Sequence, residues 1–186
     1  YLEFALLQLF KNITGSRFCW FLLFLSAIAL EACGLYFQYQ LNLNPCIECV
    51  YERAFFLAYI FIGFVGALAA NFYLVRLVCS ASFVASAVGG LFVSLRHLSA
   101  YTSTNPLSSS CRLKADFPSF LPLDEIAPWM FKPFALCSEK IDWEFLGQGM
   151  PFWIVLIFSV SLFIAAMMFL SCFVKNKAKN FNRLYR

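Results

Sequence analysis

Long apolar runs separated by short polar breaks dominate the chain. Four of them, near residues 19–39, 50–70, 74–95 and 150–174, have the ~20 apolar residues that a helix needs to cross a bilayer. None shows the alternation of a barrel strand. Lipid offers an open backbone no hydrogen-bond partners, so these runs are expected to be membrane-spanning helices. The first run is not expected to be a cleaved signal, because it exceeds a typical signal core and lacks a small-residue cleavage site.

Composition agrees. Hydrophobic residues make up 62% of the chain and charged residues 13%, against roughly 45–50% apolar and about 25% charged in soluble domains. A water-soluble domain of 186 residues does not bury that much apolar surface. The expected fold is all-α, a single four-helix membrane bundle over residues 1–186. No internal repeat is visible, and no nucleic-acid partner is expected.

Charge sets the expected orientation. The C-terminal tail carries Lys175, Lys177, Lys179, Arg183 and Arg186 with no acid. Basic flanks stay in the cytoplasm, so the tail is expected there. Four spans return the N-terminus to the same side, in agreement with Lys11, Arg17 and Arg76. Residues 40–49 and 96–149 then face outward, in a compartment where disulfides persist.

The second outer stretch is long and carries Pro106, Pro118, Pro122, Pro128 and Pro133, which exclude a long helix. Within it, Leu121, Leu123, Ile126, Trp129, Met130 and Phe131 surround Asp124 and Glu125. This segment is expected to form one or two short amphipathic turns at the membrane surface; the alternative is a lid packed on the helix ends.

The chemistry lies in cysteines. Cys46 and Cys49 form a tight pair, in Asn44-Pro45-Cys46-Ile47-Glu48-Cys49, just before the second run. Asn44 suits an N-cap and Pro45 the first helical position, which would put Cys46 in the first turn, where unpaired N–H groups favour a thiolate. Arg53 follows Cys49 by one turn on the same face. It is either a cation that stabilises a thiolate or polarises a carbonyl oxygen, or a side chain snorkelling to the surface. Glu48 and Glu52 oppose a thiolate. Cys111 and Cys137 lie far apart in the long loop and could form a disulfide that moves with it. A Cys₄ zinc centre needs a second tight pair or a nearby histidine, and His97, the one histidine, is distant in sequence. His97 with Arg96 is either an interfacial anchor or part of the site. Glu31 is costly inside a span and is a functional candidate, or it packs against Gln38. Cys19, Cys33, Cys79 and Cys172 are expected to act as small buried hydrophobes.

These residues resemble a family. Pro45-Cys46-x-x-Cys49-Val50-Tyr51-Glu52-Arg53 is similar to the signature of DsbB-type disulfide bond formation proteins of the bacterial inner membrane. Leu30-Glu31, Phe37-Gln38, Phe117-Pro118-x-x-Leu121-Pro122-Leu123-Asp124 and Cys137 followed by Asp142-Trp143-x-Phe145-Leu146-Gly147-x-x-Met150-Pro151-x-Trp153 extend the likeness over nearly the whole chain. In the related vitamin K epoxide reductase family the tight pair follows the loop cysteines, whereas here it precedes them. Two departures stand out: the chain runs Leu98-Ser99-Ala100-Tyr101 where the family continues His-x-x-Leu-Gln, and it has Glu48 between the tight pair.

The resemblance implies a thiol:quinone oxidoreductase that reoxidises a periplasmic thioredoxin-fold oxidase of the DsbA type, with ubiquinone or menaquinone as acceptor. Such an oxidase sits near about −120 mV, a known value of this very system, against about −270 mV for thioredoxin, so a strong terminal oxidant is required. It implies Cys46, Cys49, Cys111 and Cys137 as the relay, with Arg53, His97 and Glu52 on the quinone side. By the same likeness, the partner attacks Cys111 of a Cys111–Cys137 disulfide, and freed Cys137 attacks Cys46. The rival from another class is a non-enzymatic four-helix membrane protein stapled by structural disulfides in its loops.

Overall fold

The computed structural model describes residues 9–10, 12–102, 115–119, 121–135, 137 and 143–174. Cys111 and the basic tail lie outside them. Four helices are long and apolar enough to cross a membrane: α1 (Arg17–Tyr39), α2 (Ile47–Ala69), α3 (Tyr73–Thr102) and, after the loop elements, α6 (Met150–Ser171). The protein is an all-α four-helix membrane bundle. Helix α2 packs against α1 on one side and α3 on the other, and α6 packs on α3.

Lipid tails are as apolar as leucine, so close packing has to hold these helices together. Small residues permit it. A Cβ on Gly63 would lie 2.6 Å from the backbone nitrogen of Phe24, so α1 and α2 touch backbone to backbone there. A Cβ on Gly90 would lie 2.1 Å from the Phe158 ring, which fills the groove of α3. Phe158 stacks on Phe56 with ring centroids 4.7 Å apart and planes 8° apart. Tyr59 meets Phe83 edge-on at 4.9 Å. Trp20, Ala27, Ala87 and Ala165 complete this core. At the end of the bundle away from the cysteine pair, the Trp20 indole donates to Thr14 O at 2.9 Å, and the Thr14 and Ser171 hydroxyls meet at 2.8 Å. Phe61, Phe92 and Phe163 point outward, as expected of surfaces that face lipid.

Two boundaries differ from the hydropathy pattern. Helix α3 continues past Leu95 to Thr102, because the end of an apolar run marks where the lipid ends, not where helical hydrogen bonding does. Helix α2 starts at Ile47, with Cys46 and not Asn44 as its N-cap. Its first turn moves because Pro45 and Cys46 remain extended to pair with the loop. The Pro45 carbonyl accepts from the N–H groups of Phe134 (2.9 Å) and Ala135 (3.3 Å), and Cys46 forms a parallel bridge with Ala135.

The loop forms two single turns, α4 (Leu123–Ile126) and α5 (Pro128–Phe131, with Pro128 at its start). The short turns of this segment are present, and so is the lid on the helix ends. Leu123, Met130 and Phe131 pack inward on Cys46, Ile47 and Val50 as a lid, whereas Ile126 (65% exposed) and Trp129 (55%) face outward. Gln38 Nε2 and Tyr39 Oη both donate to Trp129 O, at 3.1 and 2.7 Å, and tie the lid to α1. A two-residue hairpin then pairs β1 (Glu144–Phe145) with β2 (Gln148–Gly149). Leu146 and Gly147 turn it with φ of 52° and 72°, the left-handed conformations of a type I′ turn. The hairpin leads directly into α6, whose Trp153 indole donates to Phe145 O at 3.2 Å.

Candidate redox site

The lid, the start of α2 and the end of α3 bring three of the four expected relay cysteines and His97 together at one end of the bundle. Cys46 and Cys49 are free thiols with sulfurs 2.9 Å apart. As N-cap, Cys46 accepts the Cys49 N–H through its own sulfur at 3.3 Å, which satisfies one of the orphan donors at the helix start. The bridge to Ala135 places the buried Cys137 so that its thiol hydrogen-bonds with that of Cys46. Hydrogen bonding to Cys137, then to Cys49, together with burial, holds the Cys46 thiol well above the ordinary thiol range. The bond from Cys46 in turn draws Cys137 below it. Of the two, Cys137 is the one shifted toward the thiolate.

His97 reaches this pair from α3. Its Nε2 lies 3.6 Å from Cys46 Sγ and 3.9 Å from Cys49 Sγ. Its Nδ1 is 3.0 Å from Glu52 Oε1. An ionised carboxylate only accepts, so Nδ1 donates to Glu52, and Nε2 is the ring nitrogen turned to the sulfurs. Arg96, beside it, bonds Glu48 at 2.5 Å, so the acidic residue between the cysteines is paired with a cation from α3.

Arg53 is buried (8% exposed) and does not reach the surface. Its Nη1 donates to Gln38 Oε1 at 2.6 Å and to Met130 O at 3.0 Å, and its Nη2 donates to Gly34 O at 2.9 Å. One guanidinium thus joins α1, α2 and the lid. These bonds use three of its five N–H donors. Gln38 is committed to Arg53 and the lid and does not bond Glu31, whose two carboxylate oxygens have no hydrogen-bond partner among the described residues.

A cavity of about 380 Å³ lies between α1, α2 and α6 and is bounded by the hairpin. Its walls include Phe37, Phe56, Trp143 and Trp153, and its polar groups are Cys49, Glu31, Glu52 and Arg53. An apolar cavity with a few convergent polar groups is the usual form of a small-molecule site. His97 is not part of its wall; it touches the sulfurs from α3. Of the four cysteines expected to be buried hydrophobes, Cys79 and Cys172 are buried, Cys19 is half-buried, and Cys33 is exposed at the cavity.

Sequence reasoning missed the cradle around Arg53 and the approach of His97 to the sulfurs. Gln38, a polar residue near the end of a span, was the available signal for the first. The aromatic density around Trp143 and Trp153 was the signal for the cavity wall.

Residues 16–168 match the family described as Disulfide bond formation protein DsbB. Among curated relatives, Disulfide bond formation protein B of Pasteurella multocida (strain Pm70) is 41% identical over 174 residues, covering 94% of this chain and 97% of that protein. The protein of the same name from Histophilus somni (strain 129Pt) is 38% identical, covering 91% and 95%, and that from Photobacterium profundum is 34% identical, covering 92% and 96%. The sulfur cluster at the bundle end, the four spans and this likeness along nearly the full length agree: the chain belongs to the DsbB family of disulfide bond formation proteins and is a multi-pass bacterial membrane protein.

Proposed function

We propose that the protein is a thiol:quinone oxidoreductase that reoxidises a periplasmic dithiol oxidase of the DsbA type. The observation that carries this reading is the order of the sulfurs. Cys137 touches Cys46, Cys46 touches Cys49, and Cys49 borders the aromatic cavity. Electrons entering at the loop therefore leave at the cavity with a single disulfide between.

Each exchange step breaks one disulfide as it makes another. A partner thiolate attacks Cys111 of the Cys111–Cys137 disulfide, forms a mixed disulfide and releases Cys137. The Cys137 thiolate attacks Cys46 of the Cys46–Cys49 disulfide, and Cys49 leaves as thiolate. The second partner thiol resolves the mixed disulfide and leaves the partner oxidised. The freed Cys111 then attacks Cys137, re-forms Cys111–Cys137 and releases Cys46. The acid shift of Cys137 suits its attacking role, because the thiolate is the attacking species. A quinone, ubiquinone or menaquinone, supplies the sink for two electrons and two protons as Cys46–Cys49 closes again. The residues present fit such a group: aromatic walls for a flat ring, two N–H donors left on Arg53 for a ring oxygen, and the Cys49 sulfur alongside. Glu52 orients His97 behind the sulfurs. The basic tail, Arg17 and Arg76 support a cytoplasmic location for both termini and a periplasmic one for the cysteine end, in the inner membrane.

The test is quinone reduction by the purified protein, started with a reduced DsbA-type partner and followed by quinone absorbance. Turnover is expected, and it should vanish in Cys49→Ser and Cys111→Ser. No turnover with either quinone class, with disulfides that resist mild dithiol, would return the protein to a stapled four-helix scaffold.

A further inference from the structure

Three donor groups meet at the start of α2, and their arrangement suits more than disulfide exchange. Cys46 Sγ, Cys49 Sγ and His97 Nε2 all lie within 4.8 Å of one another. Tetrahedral zinc with bonds of about 2.3 Å to sulfur and about 2.0–2.1 Å to nitrogen requires ligand separations of about 3.6 Å for S···N and about 3.8 Å for S···S. The two S···N separations are 3.6 and 3.9 Å. The S···S separation is 2.9 Å, so binding needs one cysteine side chain to turn outward.

A second observation is independent of the sulfurs. Histidines that bind metal almost always donate their other ring N–H to a carboxylate or carbonyl, which fixes the tautomer and aims the free lone pair at the ion. His97 has this arrangement: Nδ1 lies 3.0 Å from an oxygen of Glu52, which is only 2% exposed, and Nε2 is turned to both sulfurs. His97 is distant from the tight pair along the chain, and the bundle removes that distance, although it supplies no second tight pair.

We propose that the reduced Cys46–Cys49 centre binds one thiophilic divalent cation, Zn²⁺ or Cd²⁺, through Cys46, Cys49 and His97. Two thiol protons leave on binding, with any proton carried on His97 Nε2, and no electron is transferred. Ligation occupies the two sulfurs that must join to re-form the disulfide, so the ion arrests only the reduced protein and leaves the oxidised protein untouched. The cation site is redox-gated: oxidation destroys it, and occupancy prevents oxidation.

The experiment uses the full-length protein in detergent, with neither quinone nor partner, so its failure and the failure of the quinone reading are distinguishable. The protein is reduced with a phosphine, freed of reductant without air, and titrated with Cd²⁺ while thiolate-to-metal charge-transfer absorbance is recorded. Zn²⁺ affinity is taken by competition with a chromophoric chelator. Changing Cys19, Cys33, Cys79, Cys172 and Cys111 to Ser silences the other thiols. One ion per reduced chain is expected, and none on the oxidised chain. Cys49→Ser should abolish binding. Glu52→Gln, which keeps the side-chain shape, should weaken affinity about 10–100-fold at unchanged stoichiometry, and His97→Ala should weaken it further. Equal binding by oxidised and reduced protein would overturn the proposal. So would full affinity in both the Glu52→Gln and His97→Ala variants with native far-ultraviolet circular dichroism, since the ion would then sit on thiols alone.

Discussion

Glu52 and His97 face each other across the α2–α3 contact, with Oε1 3.0 Å from Nδ1 and both residues buried. Neither helix presents another partner to this imidazole N–H among the described residues. Glu52→Leu would leave the donor buried and unsatisfied, a loss of about 1–3 kcal/mol. The thermal midpoint in detergent should fall accordingly, and Glu52→Gln should recover most of the loss. Equal midpoints for the Leu variant and the parent would show that the pair does not contribute to stability.

Arg53→Lys tests the cradle. A planar fork serves Gln38, Gly34 and Met130 together, and a single ammonium does not reproduce that geometry. Under the quinone reading the apparent KM for quinone should rise about tenfold (~1.4 kcal/mol), with kcat less affected. An unchanged KM, accompanied by faster amide exchange in the lid, would make Arg53 a strut for the loop and not a quinone ligand.

The two pKa directions at the seam give a pH prediction. Cys137 is shifted down, so its thiolate forms at lower pH than that of a free thiol near about 8.5; Cys46 is shifted up, so its thiolate forms at higher pH. In the reduced protein the iodoacetamide profile of Cys137 should therefore lie on the acid side of that of Cys46. Cys46→Ala removes the hydrogen bond and should move the Cys137 profile back toward the ordinary range. Superimposable profiles in the parent would contradict the assignment.

Proximity gives a covalent prediction. In a Cys49→Ser, Cys111→Ser double variant, gentle oxidation should yield Cys46–Cys137 as the main intramolecular disulfide, because the Ala135 bridge already holds these sulfurs in contact. Peptide mapping by mass spectrometry reads it. Predominance of another pair would mean that the loop docks differently.

Gly63→Ala addresses the fold. The new Cβ would meet the Phe24 backbone at 2.6 Å, which cannot swing aside as a side chain would. A loss of about 1–3 kcal/mol is expected from the overpacking, seen as a lower thermal midpoint in detergent. An unchanged midpoint would show that α1 shifts freely along α2.

The spans were legible in the sequence because a bilayer imposes one requirement, unbroken apolar length, that needs no knowledge of neighbours. The short turns around Trp129 were legible because proline punctuation is local. His97 was not, because its position depends on α3 continuing as helix beyond the apolar run and on the way α2 and α3 pack. The cap at Cys46 was misplaced at Asn44 because the deciding partner, Ala135, lies far along the chain. Arg53 followed the same rule: its turn relationship to Cys49 was readable, but its true neighbours come from α1 and the lid.

The strip of main chain that docks Cys137 is short. Two N–H groups bond the Pro45 carbonyl, and proline, having no N–H, offers the strip nothing in return. At a net ~1 kcal/mol per bond, such a strip sets the register of Cys137 without clamping it. Cys137 packs in the same buried cluster as Cys46, Met130 and Phe131. The seam works as a latch: strong enough to present Cys137 to Cys46 repeatedly, and weak enough to let it go.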